Sequence, residues 1–203
     1  MVFNSTFISV SRYRFAFIGL AALVIAAFVQ MPTAQAQSAS EKAAAAEVAK
    51  LLSAVSSGGS SVSKVSGAVR RHFAIGTWVN ALLGKQKKKF SSSEMSQFRK
   101  LLPSYLAKLY VRQFGGGGLG KVEPSRIRTV RGDVLVTTRL PRGSGGTVPV
   151  VWRLRVIGGK YRVIDYSAGG VSNVVLKRSE FGSIVKQSGA GELNKFLASF
   201  INS

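Results

Sequence analysis

The stretch that decides the fold is Lys160–Phe181, with the sequence KYRVIDYSAGGVSNVVLKRSEF. Its first part is rich in residues that favour strands, and Gly158-Gly159 just before it is a pair typical of hairpin turns. Gly169-Gly170 then interrupts the pattern, and an apolar run leads into Lys177–Phe181, where a helix is expected to open. The stretch predicts a final strand that turns sharply into a helical tail, with one acidic residue, Asp165, inside the strand.

Three further strand patterns precede this one. Arg126–Val130 and Val134–Leu140 flank Arg131-Gly132-Asp133, in which Gly132-Asp133 is expected to form a tight turn. Such a hairpin turn also explains the Arg-Gly-Asp triplet fully, without a role in adhesion. Between Val148 and Val156, apolar residues alternate with basic ones, which predicts a strand with one buried and one basic face. Four strands joined by short loops indicate an antiparallel meander.

Helical patterns occupy the first half of the chain. Apolar residues at helical spacing predict helices over about Glu41–Val55, over Val62–Phe73 and over Thr77–Leu83. Ser56–Ser63 is rich in Ser and Gly, and we expect a flexible break there that leaves the first helix loosely attached.

The basic run Lys85–Lys89, KQKKK, has two interpretations. A solvated loop is the usual reason for such a run of charge. The alternative is a contact with anionic lipid or with a transporter subunit, because each Lys near an anionic membrane surface contributes about 1 kcal/mol.

The most amphipathic helix begins with Ser91 and Glu94, which match a capping box. Its predicted apolar face consists of Phe98, Leu101, Leu102, Tyr105, Leu109 and Phe114. Pro103 lies inside the pattern, where it predicts a kink over a cavity or, alternatively, a break between two helices. After the strands, two short helices with Gly189 and Gly191 between them are expected to return over the sheet. Helices, then strands, then a helical tail indicate an α+β fold.

Composition and the N-terminal sequence limit the possible partners and the cellular location of the protein. The formal net charge is +21, so anionic lipids, nucleic acids and acidic proteins are all possible partners. Arg12 and Arg14, an apolar run and Ala34-Gln35-Ala36 match a cleavable signal peptide over residues 1–36. A retained anchor is the alternative, although the run is short for a span, which needs about 20 residues. Because an exported protein meets little nucleic acid, nucleic acid is an unexpected partner. The chain has no cysteines, so its hydrophobic core must stabilise the fold without disulfides.

Residues suited to catalysis are few. The single histidine, His72, rules out a metal site built from several histidines, and a helix boundary explains its position. The carboxyl pairs that many enzymes need are unexpected here, because Asp133 is assigned to a turn and Asp165 to a strand. Asp165 has three interpretations: an ion pair with Arg153 or Arg162, an acceptor for backbone N–H groups near Gly169-Gly170, or a lone general base.

The stretch around Asp165 resembles the signature of the MlaC/toluene-tolerance family, the periplasmic phospholipid-binding components of a lipid ABC transport system. That signature has an aromatic residue, an aspartate four positions on, Gly-Val-Ser, a basic residue and then Glu-aromatic. The matching residues here are Tyr161, Asp165, Gly170-Val171-Ser172, Lys177-Arg178 and Glu180-Phe181. The family often has an acidic residue where this chain has Gly169. The resemblance extends more weakly back to about Val69.

The resemblance implies a cone-shaped antiparallel sheet of the NTF2-like kind, of about four strands, wrapped by N- and C-terminal helices. With the signal peptide and the Ser/Gly-rich break read from the sequence itself, the expected division is a signal peptide at 1–36, a helix and flexible linker at 37–63, and a lipid-binding domain at 64–203. Between sheet and helices the resemblance implies a cavity for acyl chains. The lipid-binding residues expected there are Trp78, Phe98, Leu102, Tyr105, Leu109, Val150, Trp152, Leu154, Val171 and Phe181. Periodicity alone does not distinguish such a cavity from a filled core.

Three functions remain open at this point. The resemblance implies a non-enzymatic periplasmic carrier with no cofactor beyond its cargo, a phospholipid or a hopanoid. Its implied partners are an MCE-type subunit of an inner-membrane ABC transporter and an outer-membrane lipoprotein complex. The second function is a basic adaptor that encloses no ligand. The third is an enzyme of the same general fold that uses Asp165.

Overall fold

The computed structural model describes residues 34–115, 119, 122–142 and 145–203, without the side chains of 34–38. The helices in this part of the chain are α1 (Ala34–Gly58), α2 (Val62–His72), α3 (Ile75–Leu83), α4 (Ser92–Phe114), α5 (Asn173–Ser188) and α6 (Ala190–Asn202), with a 3-10 helix at Gly84–Lys89. The strands are β1 (Arg126–Val130), β2 (Asp133–Pro141), β3 (Thr147–Ile157), β4 (Lys160–Ala168) and β5 (Val171–Ser172). None of these helices has the length and apolar character to span a membrane. The predicted signal peptide lies almost entirely outside the described residues.

The strands form one antiparallel sheet in the order β1-β2-β3-β4-β5. This confirms the predicted α+β class and the meander, and adds to the four predicted strands the two-residue β5. The β3–β4 turn is Gly158-Gly159, with φ of 59° and 75°. Left-handed backbone at both positions is what a two-residue hairpin requires, so glycine explains why the chain turns here.

Burial alternates along β3, as the sequence predicts. Val148, Val150, Trp152 and Leu154 are at most 3% exposed, whereas the side chains of Arg153 and Arg155 are 47% and 49% exposed. The indole N–H of Trp152 donates to the hydroxyl of Thr138 on β2 at 2.9 Å, which satisfies its buried donor. One face of the sheet therefore belongs to the core.

Asp133 is not in a turn, and that prediction is wrong. The turn is Arg131-Gly132, while Asp133 begins β2 with its side chain only 1% exposed. Its carboxylate accepts hydrogen bonds from Arg153 at 2.6 Å and from Arg155 at 2.6 and 3.0 Å. Burial alone would raise the pKa of Asp133, but these two guanidinium groups outweigh it and hold the pKa below its ordinary value. The Arg-Gly-Asp triplet therefore does not present an accessible carboxylate.

Helix α4 begins with the predicted capping box, in which Ser91 and Glu94 each accept from the other's backbone N–H. It continues through Pro103 as one helix, so the alternative of two separate helices is wrong. On one side α4 packs against α2, and on the other against α6.

Helix α1 packs as part of the main core. Its residues Ala44, Val48, Leu51, Leu52 and Val55 are at most 3% exposed and join one cluster with the sheet and α4. Residues 56–63 hold the end of α1, a short turn and the start of α2. The described residues accordingly form one compact unit in which α1 is packed into the core and is not loosely attached.

The tail helix α5 begins at Asn173, earlier than the predicted opening at Lys177. Ser172 caps it by accepting from the N–H of Val175 at 3.1 Å. Asp165 accepts from the hydroxyl of Ser172 at 2.6 Å and from the N–H of Val174 at 3.1 Å. Helix α5 contacts β4 and α3, while α6 packs mainly against α4 and α5, so the tail covers the sheet only in part.

We expect Asp133→Asn to lower the free energy of unfolding by about 2 kcal/mol, because it weakens buried hydrogen bonds to two cations. The pKa of Asp133 is depressed in the folded protein, so its contribution is complete above the ordinary pKa of 3.8 and is lost as the pH falls through the lower folded value. Urea unfolding as a function of pH measures both effects. The control is Glu192→Gln, which removes an exposed ion pair with Lys195 and should change stability by less than about 1 kcal/mol. Equal losses of unfolding free energy in Asp133→Asn and Glu192→Gln would contradict the stabilising role assigned to the buried hydrogen bonds of Asp133.

Candidate functional site: an apolar cavity under α1 and α2

A narrow cavity lies where α1 and α2 cover the sheet and the C-terminal half of α4. It is lined by Leu51 and Val55 of α1, Val65, Val69 and the following Phe73 of α2, Leu106 and Tyr110 of α4, Trp152 of β3 and Tyr166 of β4. Its volume is about 10 Å³, which is barely enough for one water molecule. The lining carries no charged side chain, so the cavity suits apolar matter.

Aromatic rings form the wall of the cavity on the sheet side. The ring of Tyr166 lies 5.5 Å from that of Trp152 and 6.2 Å from that of Trp78. Trp78 in turn lies 5.5 Å from Phe73 and donates its indole N–H to the carbonyl of Val163 at 3.0 Å. These contacts tie α3 and the end of α2 to β4.

The predicted lipid-binding residues separate into three groups. Trp152 lines the cavity, and Trp78 packs against Tyr166, another residue of the lining. The buried residues Val150, Leu154 and Leu102 belong to the surrounding core, with Leu109 partly buried at its edge. The remaining four lie elsewhere: Phe98, Tyr105, Phe181 and Val171.

Phe98, Tyr105 and Phe181 belong to a second aromatic cluster. The ring of Phe181 lies 6.0 Å from that of Phe98 and 5.5 Å from that of Tyr105, and Phe200 lies 4.9 Å from Tyr105. This cluster joins α4 to α5 and α6. Val171, in β5, is 55% exposed and does not belong to the core.

The residues that sequence reasoning missed come from α1, from α2 and the Phe73 that follows it, from one face of α4 and, with Tyr166, from β4. Those on α1 were recognised as helical but assigned to a loosely attached helix, and those on α2 were recognised as helical but not assigned to the site. On α4, a step of four residues runs through Phe98, Leu102, Leu106, Tyr110 and Phe114, all at most 6% exposed. This step is the pattern that would have identified Leu106 and Tyr110 instead of Leu109.

Three buried tyrosine hydroxyls lack hydrogen-bond partners among the described residues. Those of Tyr110 and Tyr166 belong to the cavity lining, and that of Tyr105 belongs to the second aromatic cluster. Burial is the main cause of a raised pKa for each of them, so each keeps its proton at neutral pH. Protonated phenols can donate as well as accept.

The hydrogen bonds of Asp165 favour one of its three interpretations, that of an acceptor for backbone N–H groups near Gly169-Gly170. Burial raises its pKa, and the bonds from Ser172 and Val174 oppose that shift. Both bonds hold the start of α5, so Asp165 orders the segment after Gly169-Gly170. No group of His, Cys, Asp or Glu side chains within the described residues is arranged to hold a metal ion.

An open groove of about 430 Å³ lies on the surface between the 3-10 helix and α5. Its charged side chains are Lys85, Arg178 and Lys186, and no acidic residue is among those that line it. Val175 and Leu176 lie at the N-terminal end of α5 and are 68% and 52% exposed. The groove is therefore cationic with aliphatic side chains at its edge.

Together the sheet, the helices and the cavity define a class: an α+β protein in which helices close over one face of an open antiparallel sheet. Residues 41–199 match the family model described as MlaC protein, and the chain therefore belongs to the MlaC family. No curated protein matches the chain.

A similar solved structure is the phospholipid-binding protein from Ralstonia solanacearum in complex with a phospholipid. It is 17% identical, the match covers 80% of this chain and 96% of that chain, and the TM-score is 0.63. At this identity the likeness establishes the shared fold.

Proposed function

We propose that the chain is a periplasmic carrier that encloses lipid acyl chains and moves phospholipid between the outer membrane and an inner-membrane ABC transporter. The observation that carries the proposal is the uncharged, mostly apolar cavity that α1 and α2 cover. Membership of the MlaC family supports it, as does a similar fold that was solved with a phospholipid.

The physical task of such a carrier is to replace water around hydrocarbon. A two-chain lipid has about 30 methylenes, and each costs about 0.8 kcal/mol in water. Spontaneous passage through an aqueous compartment is therefore slow, and an apolar lining lowers that barrier. This task needs no chemical step, so we propose a binding protein rather than an enzyme, with the lipid as cargo and no cofactor.

The closed cavity requires a movement before it can accept an acyl chain. A volume of about 10 Å³ cannot hold a hydrocarbon tail, so α1 and α2 must move away from the sheet and α4. A hydrogen bond between the Glu47 carboxylate of α1 and Nδ1 of His72 of α2, at 2.9 Å, joins the two helices. Among the described residues, polar contacts between the pair and the sheet include Glu41 with Thr129 at 3.2 Å and Glu47 with Arg162 at 3.8 Å. Ser40 is also hydrogen-bonded to Tyr161, and Arg162 donates to the carbonyl of Arg71. We propose that α1 and α2 move as one cover.

The partners follow from the proposed route. We propose that an MCE-type subunit of the inner-membrane transporter and an outer-membrane lipoprotein complex exchange lipid with the chain. A hopanoid would satisfy the same lining and remains the alternative cargo, since the cavity selects for apolar surface rather than for a particular head group.

We expect Val69→Phe to reduce the amount of lipid bound, because the larger side chain occupies the cavity that the acyl chain must enter. Native mass spectrometry after incubation with phosphatidylglycerol vesicles measures the lipid-bound fraction. The control is Val185→Phe, a similar overpacking of α5 at a site that does not line the cavity. Each substitution should cost about 1–3 kcal/mol of stability, so a specific loss of lipid in Val69→Phe separates binding from folding. Equal lipid binding in both variants would contradict the site.

A second candidate function is a basic adaptor that binds an acidic surface without enclosing a ligand. The nearly filled cavity and the cationic groove favour it. Its binding would depend on exposed charges, which salt screens, since the Debye length falls from about 10 Å at 0.1 M salt to about 3 Å at 1 M. Acyl chains enclosed in an apolar cavity would remain bound at the same salt concentration.

We expect bound lipid to be retained in about 1 M salt while association with phosphatidylglycerol vesicles weakens. We also expect the triple variant Lys85→Gln, Arg178→Gln and Lys186→Gln to weaken vesicle association without loss of enclosed lipid. Vesicle sedimentation and native mass spectrometry measure the two properties separately. A control with equal charge loss elsewhere is Lys50→Gln, Lys64→Gln and Lys100→Gln. Loss of all bound lipid in high salt would favour the adaptor and contradict the carrier.

A further inference from the structure

Three unpartnered tyrosine hydroxyls are the unexplained feature of the core. Tyr105 and Tyr110 lie on α4 and Tyr166 lies on β4, and they are 0%, 6% and 3% exposed. Within the described residues no donor or acceptor reaches their hydroxyls. Buried polar groups are nearly always paired, and an unpaired one destabilises the folded state. Phenylalanine at these positions would fill almost the same space without that cost.

Two of the three tyrosines share one site. Tyr110 and Tyr166 both line the cavity. After burial, the main cause, Tyr166 contributes electrostatically to the raised pKa of Tyr110. It also contributes to the raised pKa of Tyr105, after burial and Glu180. Tyr110 and Tyr166 thus place two unpartnered phenols in an otherwise apolar lining, whereas Tyr105 belongs to the aromatic cluster that joins α4 to α5 and α6.

The chemistry of the surroundings restricts what these two phenols can bind. No Lys or Arg lines the cavity, so a phosphate there would be a buried, unpaired charge at high cost. A bare hydrocarbon tail offers no acceptor. The neutral oxygen atoms of a glycerolipid are its ester carbonyls, which lie where the acyl chains join glycerol, and a phenol O–H can donate to them.

We propose that Tyr110 and Tyr166 donate hydrogen bonds to the ester carbonyl oxygens of a bound acyl glycerolipid. This inference rests on the proposed carrier function and deepens it, because it assigns how the cavity recognises the linkage of its cargo. The empty protein carries the cost of unpaired hydroxyls, and loading the lipid removes that cost. The charged head group then stays outside the tyrosines.

The test compares two lipids with the same head group and chain length: diacyl phosphatidylglycerol and its dialkyl ether, which lacks the carbonyls. We expect the wild-type chain to bind the diacyl lipid more tightly, by about fivefold for each hydrogen bond. Tyr110→Phe and Tyr166→Phe should each reduce this preference, and the double variant should abolish it while it still binds the ether lipid. Competition binding with delipidated protein measures the ratio.

Thermal unfolding of the lipid-free variants supplies a second readout. Both Phe variants should raise the Tm by about 2–4 °C, because each removes an unpaired buried hydroxyl. The control is Tyr161→Phe, whose hydroxyl is paired with Ser40; it should lower the Tm slightly and leave the lipid preference unchanged.

Several outcomes would overturn the inference. Equal affinity of the wild-type chain for the two lipids would overturn the inference and would leave the carrier function intact. A preference for the diacyl lipid that persists in the double Phe variant would also overturn it. If both variants have a lower Tm and an unchanged preference for the diacyl lipid, the hydroxyls are hydrogen-bonded to a structural water, and the inference is wrong. A wild-type chain that binds neither lipid contradicts the carrier function itself, and this inference with it.

Discussion

The packing of α1 and α2 over the sheet and α4 is the interaction on which the rest of the structure depends. Leu51, Val55, Val65 and Val69 close one side of the cavity, and Trp152 with its aromatic neighbours closes the other. This contact buries apolar surface and so stabilises the empty protein. Acyl chains offer the same kind of surface, so in the proposed carrier a lipid would replace the helices as the partner of the sheet. One interface would then serve both stability and binding.

Local patterns in the sequence predicted much of the fold, and long-range pairing explains where prediction failed. The alternation along β3, the Gly158-Gly159 turn and the Ser91–Glu94 capping box are signals within a few residues, and all three are confirmed. Asp133 was misplaced because its partners, Arg153 and Arg155, lie on a neighbouring strand. The position of α1 was missed because a Ser- and Gly-rich turn resembles a linker unless its packing is known.

The candidate site was harder to predict than the fold. An aromatic side chain at helical spacing has the same pattern whether it lines a cavity or joins two helices. Phe98 and Phe181 belong to the second case, in the cluster between α4 and the tail, while Trp152 belongs to the first. Because α4 packs on both α2 and α6, its buried surface is wide, and the choice between Leu106 and Leu109 depends on the neighbouring helices.

The most direct test of the account measures the movement of the cover. The chain has no cysteines, so spin labels can be placed cleanly at Ser63→Cys on α2 and Ser96→Cys on α4, both exposed positions. Pulsed electron paramagnetic resonance would give the distance between them before and after loading with phosphatidylglycerol. The account predicts a longer distance in the loaded protein. An unchanged distance in a sample that native mass spectrometry shows to be lipid-bound would contradict it.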